Sequence, residues 1–226
     1  MRVADQQMYN TLLGNLQRSR LQMLDSQDQI SSQKRVTTPD DDPSSYGQIV
    51  LDKSALSQTT QWLRNIDFGT SRMDAADHAL GQTQNLITRV RELTIQASSD
   101  TTSAEGRQGI AKEVRQLQRQ LVQLGNTEVA GQAVFAGTKT NVSPFVVTTG
   151  DTVTYQGNTE TQSIAVGENQ TVQILVPGSS IFTGATTNMF DSLRDLLTAL
   201  ESNNRSGIQA GIGNLDLATA QISDAQ

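Results

Sequence analysis

Apolar residues between Ser44 and Ser98 recur at helical spacing, and the segment contains no proline. One stripe consists of Ala76, Ala79, Thr83, Leu86, Val90, Leu93 and Ala97. A second stripe consists of Ile49, Leu56, Leu63, Ile66, Met73, Leu80 and Ile87. Two stripes on one helix predict neighbours on more than one side, as in a bundle. Because each residue adds 1.5 Å, the helix would span roughly 80 Å, which predicts an elongated helical bundle or coiled-coil rod.

Residues 5–35 also have helical spacing, but the helix they predict is unusually polar. Its apolar positions are Leu12, Leu16, Met23 and Ile30. Ser19 and Ser26 stand between them, where a strong coiled coil has leucine. Two interpretations stay open: a weak surface helix, or a helix that is stable only when it packs in an assembly.

The segment 36–43 separates these two helices, because proline disfavours helical backbone at the residue before it. Asp42 is placed as the N-cap of the long helix, with Pro43 at the first helical position. The alternative is a cation site made from Asp40, Asp41 and Asp42. No downstream ligand completes a calcium-loop pattern, so capping is favoured.

A third helix is predicted after the turn at 98–102, where Thr102 and Glu105 form a capping-box pattern. Its apolar positions are Ile110, Val114, Leu117, Leu121 and Leu124. Because the turn is short, the second and third helices should form an antiparallel hairpin.

Beyond about residue 130 the apolar period falls toward two, which is typical of strands. The β-type runs are Pro144–Val147, Thr152–Tyr155, Ser163–Val166 and Thr171–Val176. Glycine-containing turns separate them, so they predict one small antiparallel sheet. Alternation would place Val172, Ile174 and Val176 on a single face.

Helical spacing returns in the last forty or so residues. The fourth predicted helix starts at Asn188 and Asp191, with apolar positions Met189, Leu193, Leu196, Leu197 and Leu200. The next has apolar positions Ile208, Ile212, Leu215 and Ile222. This pattern is still running at residue 226, so we expect the natural protein to continue into a helix that packs on the rod.

Together these patterns predict a mainly α chain with a small inserted antiparallel β domain. Residues 1–42 would form an N-terminal polar helix and linker that serve assembly. Residues 43–142 and 186–226 would form the helical rod domain, and residues 143–185 the inserted β domain.

Composition limits the possible functions. Hydrophobic residues make up 35% and aromatic residues 4% of the 226 residues, which suits thin bundles better than a thick core. The net charge of −6 without a basic patch argues against nucleic acid as a partner. No apolar run is long enough for membrane insertion, and without a signal peptide the default compartment is the cytoplasm.

The chain offers little for catalysis. It has no cysteine, and its single histidine, His78, lies in the long helix and is expected at the surface. The run Arg89-Val90-Arg91-Glu92 looks like a charged cluster, but periodicity puts Val90 in the seam and its neighbours towards solvent or another subunit. We therefore expect no enzyme activity and no catalytic, cofactor-binding or metal-binding residues.

Four segments resemble proteins of the bacterial flagellin superfamily. Gln84–Ala97 resembles the long-helix segment of flagellins, and residues 34–43 resemble the link between their two inner domains. Met1-Arg2-Val3 with Met8-Tyr9, and residues 134–140 before Pro144-Phe145, resemble instead the family of hook–filament junction proteins, the third hook-associated proteins.

This resemblance implies a structural adaptor that joins the flagellar hook to the flagellin filament through coiled-coil helix packing. Its implied partners are other copies of itself in a ring, a neighbouring hook-associated protein, flagellin or filament-side subunits, and a flagellar export chaperone. The implied location is extracellular, after export through the flagellar apparatus without a cleaved signal peptide. The alternatives are a flagellin filament subunit and an intracellular coiled-coil signalling adaptor.

Overall fold

Helices dominate the computed structural model, which describes residues 2–184 and 187–225. The helices are α1 (Arg2–Ser32), α2 (Pro43–Ser98), α3 (Ala104–Gly125), α4 (Gly178–Phe182), α5 (Met189–Glu201) and α6 (Arg205–Ala225). The strands are β1 (Glu128–Val129), β2 (Gln132–Ala133), β3 (Phe145–Val147), β4 (Val153–Tyr155), β5 (Gln162–Gly167) and β6 (Gln170–Leu175). A 3-10 turn covers Thr149–Asp151 between β3 and β4. The predicted fold class, mainly α with small antiparallel β elements, is confirmed.

The strands do not form the single sheet predicted from the sequence. In the described residues they pair as three separate antiparallel hairpins, β1–β2, β3–β4 and β5–β6. Phe145 of β3 packs against Gly125 of α3, whereas Ile164 and Ile174 of the β5–β6 hairpin pack against Gly69 of α2. The β3–β4 and β5–β6 hairpins therefore rest on different helices, which provide the apolar contacts that one shared sheet would otherwise have provided.

The predicted common face of Val172, Ile174 and Val176 is also wrong. Ile174 is buried, whereas Val172 and Val176 are each 47% exposed. Gln162 pairs with Leu175 and Ser163 pairs with Gln173, so Ile174 is an extra residue on β6. Such a bulge interrupts the alternation of side chains and turns Ile174 towards α2.

Contacts group the chain into two compact units, Met1–Gln61 and Trp62–Gln226. The first unit holds α1, the linker and the start of α2. The second holds the rest of α2 and all later elements. The division into 1–42, 43–142 with 186–226, and 143–185 stays a prediction, and its boundary between residues 185 and 186 lies outside the described residues.

The second unit has one continuous apolar core to which both helices and hairpins contribute. Its aromatic centre consists of Phe135, Phe145, Phe182 and Phe190. The Phe145 ring centroid lies 5.0 Å from that of Phe182 and 5.1 Å from that of Phe190. These edge-on and tilted contacts connect the β3–β4 hairpin with α4 and α5.

The predicted antiparallel pairing of α2 with α3 is confirmed by the contacts between them. Arg89 binds Glu113 near the middle of α3, and the Arg107 Nε donates to the carbonyl of Ala97 next to the turn between the helices. Because residue numbers rise along one helix as they fall along the other, the two helices run in opposite directions.

The first predicted stripe of α2 is buried apart from Leu86, which is half-buried. The second stripe is wrong over most of its length. Leu80 and Ile87 are buried, but Leu56 is 68% and Leu63 57% exposed. Buried positions of α2 begin at Gly69, because the core of the second unit covers the helix only from there onward.

Two details of α3 differ from prediction. Its N-cap is Ser103 rather than Thr102, since the Ser103 hydroxyl accepts from the Gly106 amide and the Thr102 hydroxyl turns back to the Gln96 carbonyl. Leu117 and Leu124 are only half-buried, and Gln118 is buried instead. The Gln118 side chain donates to the Asp151 carbonyl, so the buried face of α3 includes Gln118 and faces the turn between β3 and β4.

The last two helices largely follow the sequence pattern. Asn188 caps α5 by accepting from the amides of Phe190 and Asp191. All five predicted apolar positions of α5 are buried. In α6 the predicted positions Ile208, Leu215 and Ile222 are buried, and Ile212 is half-buried.

Candidate assembly surface

The most unusual surface of the chain is an apolar stripe on α1. It consists of Met8, Leu12, Leu16, Met23 and Ile30, with exposed fractions of 72%, 59%, 64%, 73% and 78%. At 3.6 residues per turn these five positions fall within an arc of about 80°. We call this set the α1 stripe.

No described residue of the first unit covers the α1 stripe. Side-chain hydrogen bonds on α1 are local, such as those of Arg18 with Asn15 and of Gln29 with Asp25. Contiguous exposed apolar surface of this kind is typical of sites that bind another protein. Of the two sequence interpretations, this exposure favours a helix that packs in an assembly.

The first turns of α2, which belong to the same compact unit, are exposed as well. Val50, Leu51 and Leu56 are 49%, 65% and 68% exposed. Apolar surface in the first unit is therefore not confined to α1.

The linker between α1 and α2 is held by two carboxylates. The Asp42 side chain accepts from the Ser45 amide at 3.1 Å and from the Ser45 hydroxyl at 2.6 Å, which confirms its predicted capping role. The Asp41 side chain accepts from the amides of Thr37 and Thr38, each at 2.9 Å. Hydrogen bonds from Ser45 lower the pKa of Asp42, and those from Thr38 and Thr37 lower the pKa of Asp41.

The charged run 89–92 is occupied by contacts within the chain. Val90 is buried, as its seam position predicts. Arg89 lies 2.9 Å from Glu113 and 3.1 Å from Glu92, and hydrogen bonds to these carboxylates raise its pKa. Arg91 binds Asp216 of α6 at 2.7 Å. These pairs join α2 to α3 and α6.

His78 lies on the exposed face of α2, as predicted, where its ring contacts the Gln82 amide.

Within the described ranges, no group of three or more histidine, aspartate or glutamate side chains is arranged to hold a metal ion. None of the helices in the same ranges combines the length and hydropathy that a membrane span requires.

Sequence reasoning missed three arginines that fix the second unit. The buried Arg72 donates to the Ala133 carbonyl at 2.8 Å, and Arg107 binds Asn203. Arg115 donates hydrogen bonds to Asp151 and Glu201, and these bonds, chiefly the one to Glu201, raise its pKa. Arg72 precedes the first stripe by four residues, so its spacing alone could have placed it in the seam.

Residues 3–140 match the family described as the bacterial flagellin N-terminal helical region. Flagellar hook-associated protein 3 of Salmonella typhimurium is 29% identical over 209 residues, which are 89% of this chain and 65% of that protein. Its Escherichia coli counterpart is 30% identical over 83% of this chain and 59% of that protein. The chain thus spans less than two thirds of the length of either relative.

Solved structures show the same fold. A putative flagellar hook-associated protein from Vibrio parahaemolyticus superposes with a TM-score of 0.74 at 18% identity, covering 83% of this chain and 86% of that one. The flagellar junction protein FlgL from Legionella pneumophila gives a TM-score of 0.55 at 26% identity, covering 60% of this chain and 43% of that one.

The match of residues 3–140 covers more than half of the 226 residues and includes the segments at 34–43 and 84–97 that suggested the resemblance. The chain therefore belongs to the bacterial flagellin family.

Proposed function

We propose that this protein is a structural subunit of the bacterial flagellum that joins the hook to the filament. The observation that carries this proposal is the similarity of 89% of the chain to flagellar hook-associated protein 3. The proteins of this family are structural, and the proposed function resides in interfaces rather than in a catalytic centre.

The α1 stripe supports assembly through helix packing. Burying a large apolar side chain contributes about 1.5–3 kcal/mol, so five of them provide on the order of 10 kcal/mol before the costs of ordering. This gain favours packing of α1 against a helix of a neighbouring subunit and is partly offset by the entropy lost on association. Packing against a neighbouring subunit should also stabilise α1 itself, because most helical stability in proteins comes from tertiary packing of an amphipathic face.

The proposed partners follow from the role. Copies of the chain pack in a ring, with a hook-associated protein on the hook side and flagellin or another filament subunit on the other. A flagellar export chaperone covers apolar segments before export. The proposed location is extracellular, on the flagellum, reached through the flagellar export apparatus without a cleaved signal peptide.

Labelling of the protein on isolated flagella tests the proposal. We expect one labelled spot where hook and filament meet. Labelling along the whole filament would favour a flagellin subunit instead. Label confined to the cell body would favour an intracellular adaptor and would overturn the proposal.

Paired variants test the α1 stripe. Leu16→Asp places a charge on the stripe and should abolish the labelled spot. Leu21→Asp is the matched control, because Leu21 is 65% exposed but points about 140° away from the nearest edge of the stripe. Equal effects of the two variants, with both proteins secreted normally, would show that the stripe is not the contact surface.

A further inference from the structure

Two of the five methionines lie on the α1 stripe. Met8 and Met23 are 72% and 73% exposed. Met73 in α2 is 41% exposed, and Met189 in α5 is fully buried. An oxidant in solution therefore reaches Met8 and Met23 more easily than Met189.

The chemistry at these sulfurs is well defined. The thioether sulfur attacks one oxygen of hydrogen peroxide, the O–O bond breaks, and the sulfur gains one oxygen. The peroxide is reduced by two electrons and leaves as water, while the thioether is oxidised by two electrons to a sulfoxide. Methionine sulfoxide is polar and chiral, and methionine sulfoxide reductases return it to methionine.

We propose that Met8 and Met23 form an oxidation site that switches the α1 stripe from apolar to polar when peroxide is present. Their side chains lie within about 60° of each other around the helix and flank Leu12 and Leu16 along it. Two sulfoxides therefore place polar oxygens on the same stripe that carries the apolar contacts.

The effect on assembly rests on the proposed function. A sulfoxide oxygen buried in a helix interface without a hydrogen-bond donor pays a desolvation penalty that methionine does not. We expect a loss of about tenfold or more in binding to hooks when both sulfurs are oxidised. Subunits already packed in an assembly are protected, because their sulfurs are covered.

The site itself is tested on the folded chain without any partner. The protein is treated with hydrogen peroxide, and the oxidation rate of each methionine is followed by peptide mass spectrometry. Among Met8, Met23, Met73 and Met189, the first two should oxidise fastest and Met189 slowest. Equal rates at Met8, Met23 and Met189 while the protein remains folded would overturn the proposal.

The consequence is tested by binding the full chain to purified hooks before and after peroxide. The double variant Met8→Leu/Met23→Leu should bind normally and resist peroxide, whereas the control Met73→Leu should remain sensitive. Sulfoxide reductase should restore binding of the oxidised protein. If untreated protein binds but the double variant is still inactivated, the switch is refuted; if untreated protein does not bind, the proposed function fails instead.

Discussion

Replacing Phe145 by alanine tests whether the β3–β4 hairpin belongs to the helical core. The Phe145 ring is 1% exposed and lies 5.0–5.2 Å, centroid to centroid, from the rings of Phe182, Phe190 and Tyr155. Truncating a buried phenylalanine costs about 3–5 kcal/mol. This is a large part of the roughly 5–15 kcal/mol that stabilises a typical domain.

Urea unfolding followed by circular dichroism at the helical band measures this cost. We expect Phe145→Ala to lower the midpoint for loss of helix, because α4 and α5 lose a packing partner. Val147→Ala is the matched control on the same strand. Val147 is 48% exposed, so its truncation should change the free energy of unfolding by less than about 0.5 kcal/mol.

The sequence predicted that residues 143–185 fold as an inserted domain with their own core. If that is so, Phe145→Ala should leave the helical transition within about 0.5 kcal/mol of the parent protein and affect only the β signal. This result would refute the reasoning from the shared aromatic cluster. A matched shift of both signals would show one cooperative core.

Three further predictions follow from burial and charge. Leu121→Ala should cost about 2–5 kcal/mol in urea unfolding, and His78→Ala less than about 0.5, because only Leu121 is buried. Asp42→Ala should speed hydrogen exchange of the Ser45 amide. In the parent protein this capping contribution is present above the ordinary carboxyl pKa of 3.8 and should be lost as pH falls through the lowered pKa of Asp42. Burial raises the pKa of Tyr155 above 10.0. The contribution of Tyr155 to stability should therefore be present below pH 10 and lost as pH rises through the raised pKa. In unfolding measured at alkaline pH, Tyr155→Phe should weaken the fall in stability with rising pH.

Helical periodicity predicted the first stripe of α2 and the apolar positions of α5, because these faces pack in the core of the second unit. It failed for the second stripe of α2 before Gly69, where that core does not reach the helix. In α3 the prediction was wrong where a polar side chain is buried in place of the predicted leucine. Gln118 is buried because it binds a backbone carbonyl of the β3–β4 turn, a partner that cannot be read from helix spacing. Leu117 is correspondingly half-buried.

The β region was harder to predict because the strands are short and their partners are set by turns. The β1–β2 hairpin was missed, since its turn residues Ala130 and Gly131 lack the usual Asn-Gly pattern although both have positive φ. The bulge at Ile174 also has no sequence pattern. Tertiary packing on α2 decides which face of β6 is buried.

The candidate surface was partly predictable. The spacing of Leu12, Leu16, Met23 and Ile30 gave the stripe itself, but exposure depends on which elements pack on α1. The ion pair between Arg91 and Asp216 joins residues 125 positions apart, so no local pattern could reveal it.

Gly69 limits how the sequence of the β5–β6 hairpin can diverge. A Cβ atom at this position would lie 2.6 Å from Ile164 Cδ1 and 3.2 Å from Ile174 Cγ2. A larger residue at position 69 therefore requires the side chains at positions 164 and 174 to shift or to become smaller, so the choice of residue at these three positions is coupled. Exposed hairpin positions such as Val172 carry no such constraint. The exposed face of the hairpin is thus free to vary in sequence, whereas the face that contacts Gly69 of α2 is constrained.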